Sequence, residues 1–291
     1  MKKKAPFIVR FFKSLLITII VLALILCAVY FFVKIKFDID LIDTVKQINT
    51  ITKPVNENKL YKNKFSDEDM ESAQVNINVE LPDFISGNKE EGFTINENIS
   101  VLSMSADIEL TDKQTAAIVN NLIKNNQKSA NITLDGNEIL PELIQVEFSN
   151  VEENKADVNV VFKIDISFLK EKMNQFPLNI LKDKIPNYIY VSSTVTVNKN
   201  SGKFDYTITS KELKINQLSA KGTKDLLTTI NKIAKFGSYE DFNIQIGSSF
   251  VNAMIGNASN QGFCYALKDV VEDYNFVCRD NVNYLVLVHK V

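Results

Sequence analysis

Histidine is nearly absent from this chain of 291 residues, and arginine is down to two residues and cysteine to three. The lone histidine, His289, sits third from the end in an alternating stretch. A Ser-His-Asp or Cys-His relay would have to run through it. A histidine on a terminal strand is far more often a surface residue. Zinc coordination asks for His and Cys at close spacing, which His289, Cys264 and Cys278 do not supply. With Arg279 the one arginine beyond position 10, bidentate Arg clamps on anions are not expected. No G-x-G-x-x-G follows an alternating stretch, and neither a P-loop nor H-E-x-x-H occurs. Together these absences predict no catalytic residue, no metal and no cofactor.

One long apolar run is present. SLLITIIVLALILCAVYFFV, residues 14–33, contains no charge. At helical rise twenty residues span roughly 30 Å, the hydrocarbon thickness of a bilayer. A signal-peptide apolar core is usually about 7–15 residues, and Leu26 stands where cleavage after Ala28 would need a small residue. The reading is an uncleaved transmembrane anchor. Lys2, Lys3, Lys4, Arg10 and Lys13 precede it with no acid among them. The positive-inside rule then predicts a single-pass plasma-membrane protein, its N-terminus cytoplasmic and residues 34–291 extracytoplasmic.

The part beyond the run carries 28 basic and 35 acidic residues, which argues against nucleic acid as a partner. Cys27 falls inside the run as an apolar filler. Cys264 and Cys278 lie in a compartment that permits disulfides. Joined, they would close a loop of about 15 residues, worth roughly 3 kcal/mol in the chain-entropy model. Two buried free thiols explain them equally well.

Four segments follow from the pattern: a basic tail over 1–13, the anchor over 14–33, a helical stalk and linker over 34–73, and an α+β domain over 74–291 with a sub-boundary near 237. In the stalk, Phe37, Leu41, Val45 and Ile48 share one helical face, and Pro54 ends the helix. The polar NENKLYKNKFSDEDMES reads as a flexible linker. VNINVEL, residues 75–81, alternates as a half-buried strand. Thr111 and Gln114 form a capping box that opens a helix over 112–126. ANITLDGNEI turns at Asp135-Gly136 between strands, and LIQVEFSN and DVNVVFKIDIS are strands. SFLKEKMNQF reads as a short helix stopped by Pro177. Residues 187–218 read as a hairpin whose turn places Gly202 in the left-handed position. GTKDLLTTINKIAKFG is a helix capped at Thr223 and closed at Gly237. FNIQI reads as a short strand before a helix carrying Phe250, Val251, Met254 and Ile255, and FCYALKDV, NFVC and NVNYLVLVHKV as closing strands.

LTDKQTAAIVNNLI enters a helix from a strand, and VNVVFKIDISFLK, IPNYIYVSSTVTV and YTITSKELKINQLSAKGTKDLL follow it. This order resembles the YpmS-like proteins, single-anchor extracytoplasmic bacterial proteins, over residues 75–236. More distantly it is similar to the tubular lipid-binding (TULIP) superfamily. That likeness implies a long twisted antiparallel sheet packed on amphipathic helices, with an apolar groove for lipid. The departure is the segment after Gly237, which has no counterpart in the resemblance. In such an arrangement Ile118, Leu122, Leu226, Ile230, Ile233, Phe250 and Met254 would line the groove; as core residues they need no groove at all.

Three functions are open at this level. The first is an anchored, non-enzymatic binding protein holding a lipid or lipid-like envelope component. The alternative is an envelope assembly or scaffold protein that works through protein contacts. A carboxylate-based hydrolase, which needs two acids held in a cleft, ranks third.

Overall fold

In the computed structural model, the structure describes residues 34, 40–96, 103–125, 132–134, 137–139, 141–165, 167, 186–234, 238–259 and 262–290. The expected anchor over 14–33, the SFLKEKMNQF helix after Ser167, the Asp135-Gly136 turn and the Gly237 closure lie outside them. Among the described residues no helix is long and apolar enough to cross a membrane.

The chain is α+β with antiparallel sheets. Four helices open, surround or follow the first strands: α1 (Leu41–Ile51), α2 (Glu57–Leu60), α3 (Asp67–Glu80) and α4 (Asp112–Asn125). Strands β1 (Ile85–Asn88) and β2 (Gly92–Ile95) form one hairpin, and β4 (Ile132–Leu134) and β5 (Asn137–Ile139) another. The main sheet is a meander of β6 (Glu142–Glu152), β7 (Lys155–Asp165), β8 (Tyr188–Lys199) and β9 (Tyr206–Ile215). Helices α5 (Ala220–Ala234), α6 (Tyr239–Met254) and α7 (Phe263–Ala266) come next. Strands β10 (Val271–Arg279) and β11 (Val282–His289) then close a second sheet in the order β10-β11-β3, β3 being Ile108–Thr111. The strands are thus divided among separate sheets instead of joining in one long one.

Side-chain alternation builds the main sheet. Val146, Phe148, Val158, Val160, Val195 and Val197 are at most 2 % exposed and share its inner face. Helix α6 lies across β7, β8 and β9, and α4 packs on β6, so one core joins the main sheet, the helices and β10-β11. Each aliphatic side chain so buried contributes roughly 1.5–3 kcal/mol relative to exposure.

Several sequence expectations are corrected. VNINVEL is the last part of α3 with its C-cap Leu81, not a strand. The Ser66 N–H and hydroxyl both donate to the Asp69 carboxylate, at 2.8 and 3.1 Å. From there Met70, Ala73, Ile77 and Leu81 bury on a helical period, leaving Val75 and Val79 in solvent. FNIQI is likewise helical: Ser238 and Asp241 cap α6, and Asn243, Gly247, Phe250, Val251 and Met254 form its buried side. FCYA forms the short helix α7, and the strand that follows starts only at Val271.

In the β8–β9 connection it is Phe204, at φ +54°, that takes the left-handed position, and Gly202 has no positive φ. The Phe204 ring is buried edge-on to Tyr265 at 5.6 Å, which offsets the backbone cost. Thr223 does not cap α5. Ser219 accepts from the Gly222 N–H at 3.1 Å, while the Thr223 hydroxyl accepts from the Ile215 N–H and ties helix to sheet. Thr111 and Gln114 do form the expected reciprocal box, at 2.9 and 3.2 Å.

The supposed flexible linker is docked. Tyr61 is buried against Ile144, Val161 and Tyr190, and Lys64 forms a bridge with Gln145.

Candidate functional site

The seven positions proposed for an apolar groove fall in three places. Ile118, Phe250 and Met254 are 0 % exposed within the continuous core, and Leu122 packs half-buried against it. Leu226 is buried on the side of α5. Ile230 and Ile233 belong to α5, but their side chains lie outside the described residues. Ile118, Phe250 and Met254 are ordinary close packing.

The other side of the main sheet is different. Registers Glu147–Asn159–Thr194–Glu212 and Ser149–Asp157–Thr196–Thr209 place a polar row across all four strands. The Asn159 amide donates to the hydroxyls of Ser192 at 3.0 Å and Thr194 at 2.8 Å. Asp157, 2 % exposed, accepts from Thr196 at 2.6 Å, from Asn150 at 2.6 Å and from Lys211. Burial pushes its carboxyl up, but these three donors outweigh it and hold the group below the usual carboxylate range. Lys211 is the extra residue of a bulge in β9, which aims its amine back over the sheet. Thr207, Thr209 and Lys211 are exposed.

One end of this polar face is covered by residues 54–64. Glu57 accepts from Lys64 at 2.6 Å and from the Tyr190 hydroxyl at 2.9 Å. Burial raises the Glu57 carboxyl, yet those bonds lower it on balance. Burial pushes the Tyr61 hydroxyl up to about 12, and its ring lies 5.5 Å from that of Tyr190. Asn63 reaches Gln145 and Glu147, extending the contact along β6. Sequence reasoning missed this whole region. The one signal was Tyr61, an aromatic in a largely polar stretch.

Two concavities among the described residues are shallow. One of about 550 Å³ lies between the β6–β7 turn and β10, with Glu152, Glu153, Lys199 and Cys278 at its rim. Another of about 530 Å³ separates α1 from α5. Cys264 and Cys278 are free thiols, Cys264 buried and Cys278 exposed. Burial raises the Cys264 thiol far above its ordinary value, which makes it unreactive. His289 Nδ1 lies 2.7 Å from Asp107 Oδ1, and the His289 N–H donates to the same oxygen.

Among the described residues no three His, Cys, Asp or Glu side chains group as metal ligands. Asp157 is the one buried carboxylate among them, and three donors already satisfy it. Among the described residues it has no buried acidic partner of the kind a two-carboxylate hydrolase requires. Comparison with known protein families, with curated proteins and with solved structures finds no match to this chain.

Proposed function

We propose that this chain is a membrane-anchored, extracytoplasmic, non-enzymatic assembly or scaffold protein that works by contacts with other envelope proteins. The supporting observation is the unequal treatment of the two sides of the main sheet. The apolar side, where a lipid groove would have to lie, is filled by Phe250, Met254 and Ile118. The polar side keeps exposed Thr207, Thr209 and Lys211 beside a fixed hydrogen-bond array. A pre-ordered polar surface suits a non-obligate protein interface, in which hydrogen bonds at a wet rim give orientation at small ordering cost. The single charge-free run at residues 14–33 supports the anchor, and the five cations before it support the orientation.

Photo-crosslinking in intact cells tests the reading. A photoreactive residue at Thr207 or Thr209 should capture one discrete protein, and one at Val75 on α3 should not. A diazirine-bearing phospholipid distinguishes the lipid-groove alternative. Adducts on Ile118, Phe250 or Met254 would restore that alternative and remove the basis for this one.

A further inference from the structure

Helix α1 is docked the wrong way round for an amphipathic helix on a domain. Its polar residues Asp43, Thr44 and Gln47 face Lys224, Asp225 and Thr228 of α5 across the shallow cleft. Its apolar residues Ile42, Val45 and Ile48 are 56, 63 and 48 % exposed. They recur every three residues, so they form one stripe pointing away from the domain. The stripe is not loosely held. The Asp40 carboxylate caps the helix by accepting from the N–H groups of Ile42 and Asp43. At the other end Ile51 packs on the Val191–Leu213–Ile215 cluster, and the Asn216 amide donates to the Ile51 carbonyl at 2.7 Å. The Gln217 amide fixes the Pro54 carbonyl in the same way, at 3.1 Å.

The position of this helix names what covers the stripe. Lys34 is the first residue after the charge-free run, and its amine lies 3.3 Å from Asp40. The N-cap of α1 is therefore within one ion pair of the residue at which the run ends. If residues 14–33 span a bilayer, α1 begins at the surface they emerge from, and its apolar stripe lies at that level.

We propose that α1 lies in the headgroup–acyl boundary of the outer leaflet, with Ile42, Val45 and Ile48 inserted and the domain carried on its polar side. The inference rests on the anchor reading above and adds to it a fixed orientation of the domain against the membrane. Within the helix Asp43 and Lys46 balance, so attraction to anionic lipid contributes little. Apolar burial drives the insertion. Neutral and anionic bilayers are then equivalent partners, and salt has no effect.

The test uses the full-length chain in vesicles, with Cys27 and Cys278 replaced by serine and the buried Cys264 kept. A polarity-sensitive fluorophore is placed on Val45→Cys, Ile48→Cys, Asp43→Cys or, as a distant exposed control, Val75→Cys. The vesicles are phosphatidylcholine with brominated acyl chains, with and without phosphatidylglycerol. Bromine should quench the labels at 45 and 48 several-fold more than those at 43 and 75. The ratio should not change with phosphatidylglycerol or with salt. Equal quenching at all four positions overturns the proposal. So does a label at 45 shielded from both bromine and aqueous iodide, which means that protein covers the stripe. An alkaline carbonate wash separates the two levels of failure. Chain lost from the vesicles defeats the anchor reading and this inference with it; chain retained with position 45 in water defeats this inference alone.

Discussion

The two sides of the β6–β9 sheet are made from the same four strands and are stabilised by different physics. On the inner side Val158, Val160, Val195 and Val197 are fully buried, and the helix above them touches the sheet closely. On the outer side Asn159 is tied to Ser192 and Thr194, and Asp157 to Thr196 and Lys211. Even the inner side has polar pins, among them Asn243. The Asn243 amide of α6 donates to the Thr194 carbonyl at 3.0 Å and to the Ser210 hydroxyl at 2.8 Å, and accepts from Ser193 at 2.7 Å. The comparison separates two kinds of sensitivity. Inner positions respond to volume, and outer positions respond to pH and to the loss of a partner.

The largest expected effect is on the inner side. Phe250→Ala removes a ring that is 0 % exposed and should cost about 3–5 kcal/mol in urea unfolding. Gly247→Ala comes next. A Cβ there would stand 2.3 Å from Val195 Cγ1 and 3.1 Å from Ser193 Oγ, so α6 would have to rise off the sheet. Overpacking of this kind costs about 1–3 kcal/mol, more than the roughly 1 kcal/mol of helix propensity that alanine returns. Neither change should alter the pH dependence of stability. A shift in the acid limb of the Phe250→Ala profile would mean that the two sides are coupled.

Asp157→Asn is the corresponding cut on the outer side. It keeps the shape and removes the charge that accepts from Thr196, Asn150 and Lys211. A loss of about 1–3 kcal/mol at neutral pH is expected. The folded carboxyl lies below its ordinary value, so its contribution is whole above the unfolded value of about 4. It disappears as pH falls through the lower folded value. Wild-type and Asp157→Asn stabilities should therefore converge below that point. Chemical denaturation between pH 2 and 7 measures this, and a gap that stays constant across the range would show that the charge does not matter.

The same contrast governs what could be read from the sequence. The long strands were legible, because eight or more alternating positions in DVNVVFKID or YIYVSSTVTV fit no helical period. VNINVEL and FNIQI are too short to choose between a period of two and one of 3.6. What decides them lies upstream, in Ser66 with Asp69 and Ser238 with Asp241. That is the chemistry correctly taken from Thr111 and Gln114, with Asp in place of Gln. The polar side of the sheet was invisible for a different reason. Asp157, Thr196 and Lys211 are 39 and 15 residues apart along the chain, and only the β7-β8-β9 registers bring them together. Tyr61 and Tyr190, on the segment mistaken for a linker and on β8, are brought together by the docking of residues 54–64.

Lys211→Met carries the smallest effect and divides the outer side further. The lysine side chain is 46 % exposed, so its pairing with Asp157 is screened and is worth about 0–1 kcal/mol. Asp157 keeps Thr196 and Asn150 as donors when the amine is gone. Stability at pH 7 should therefore fall by less than about 1 kcal/mol. The acid limb of the profile should move to higher pH, because one of the groups that depress the carboxyl has been removed. A double-mutant cycle with Asp157→Asn isolates the pair. If Lys211→Met costs as much in the Asp157→Asn background as in the wild type, the lysine stem acts by packing over the sheet. The outer side would then be held by burial, as the inner side is, and the division between them would fail at its most exposed contact.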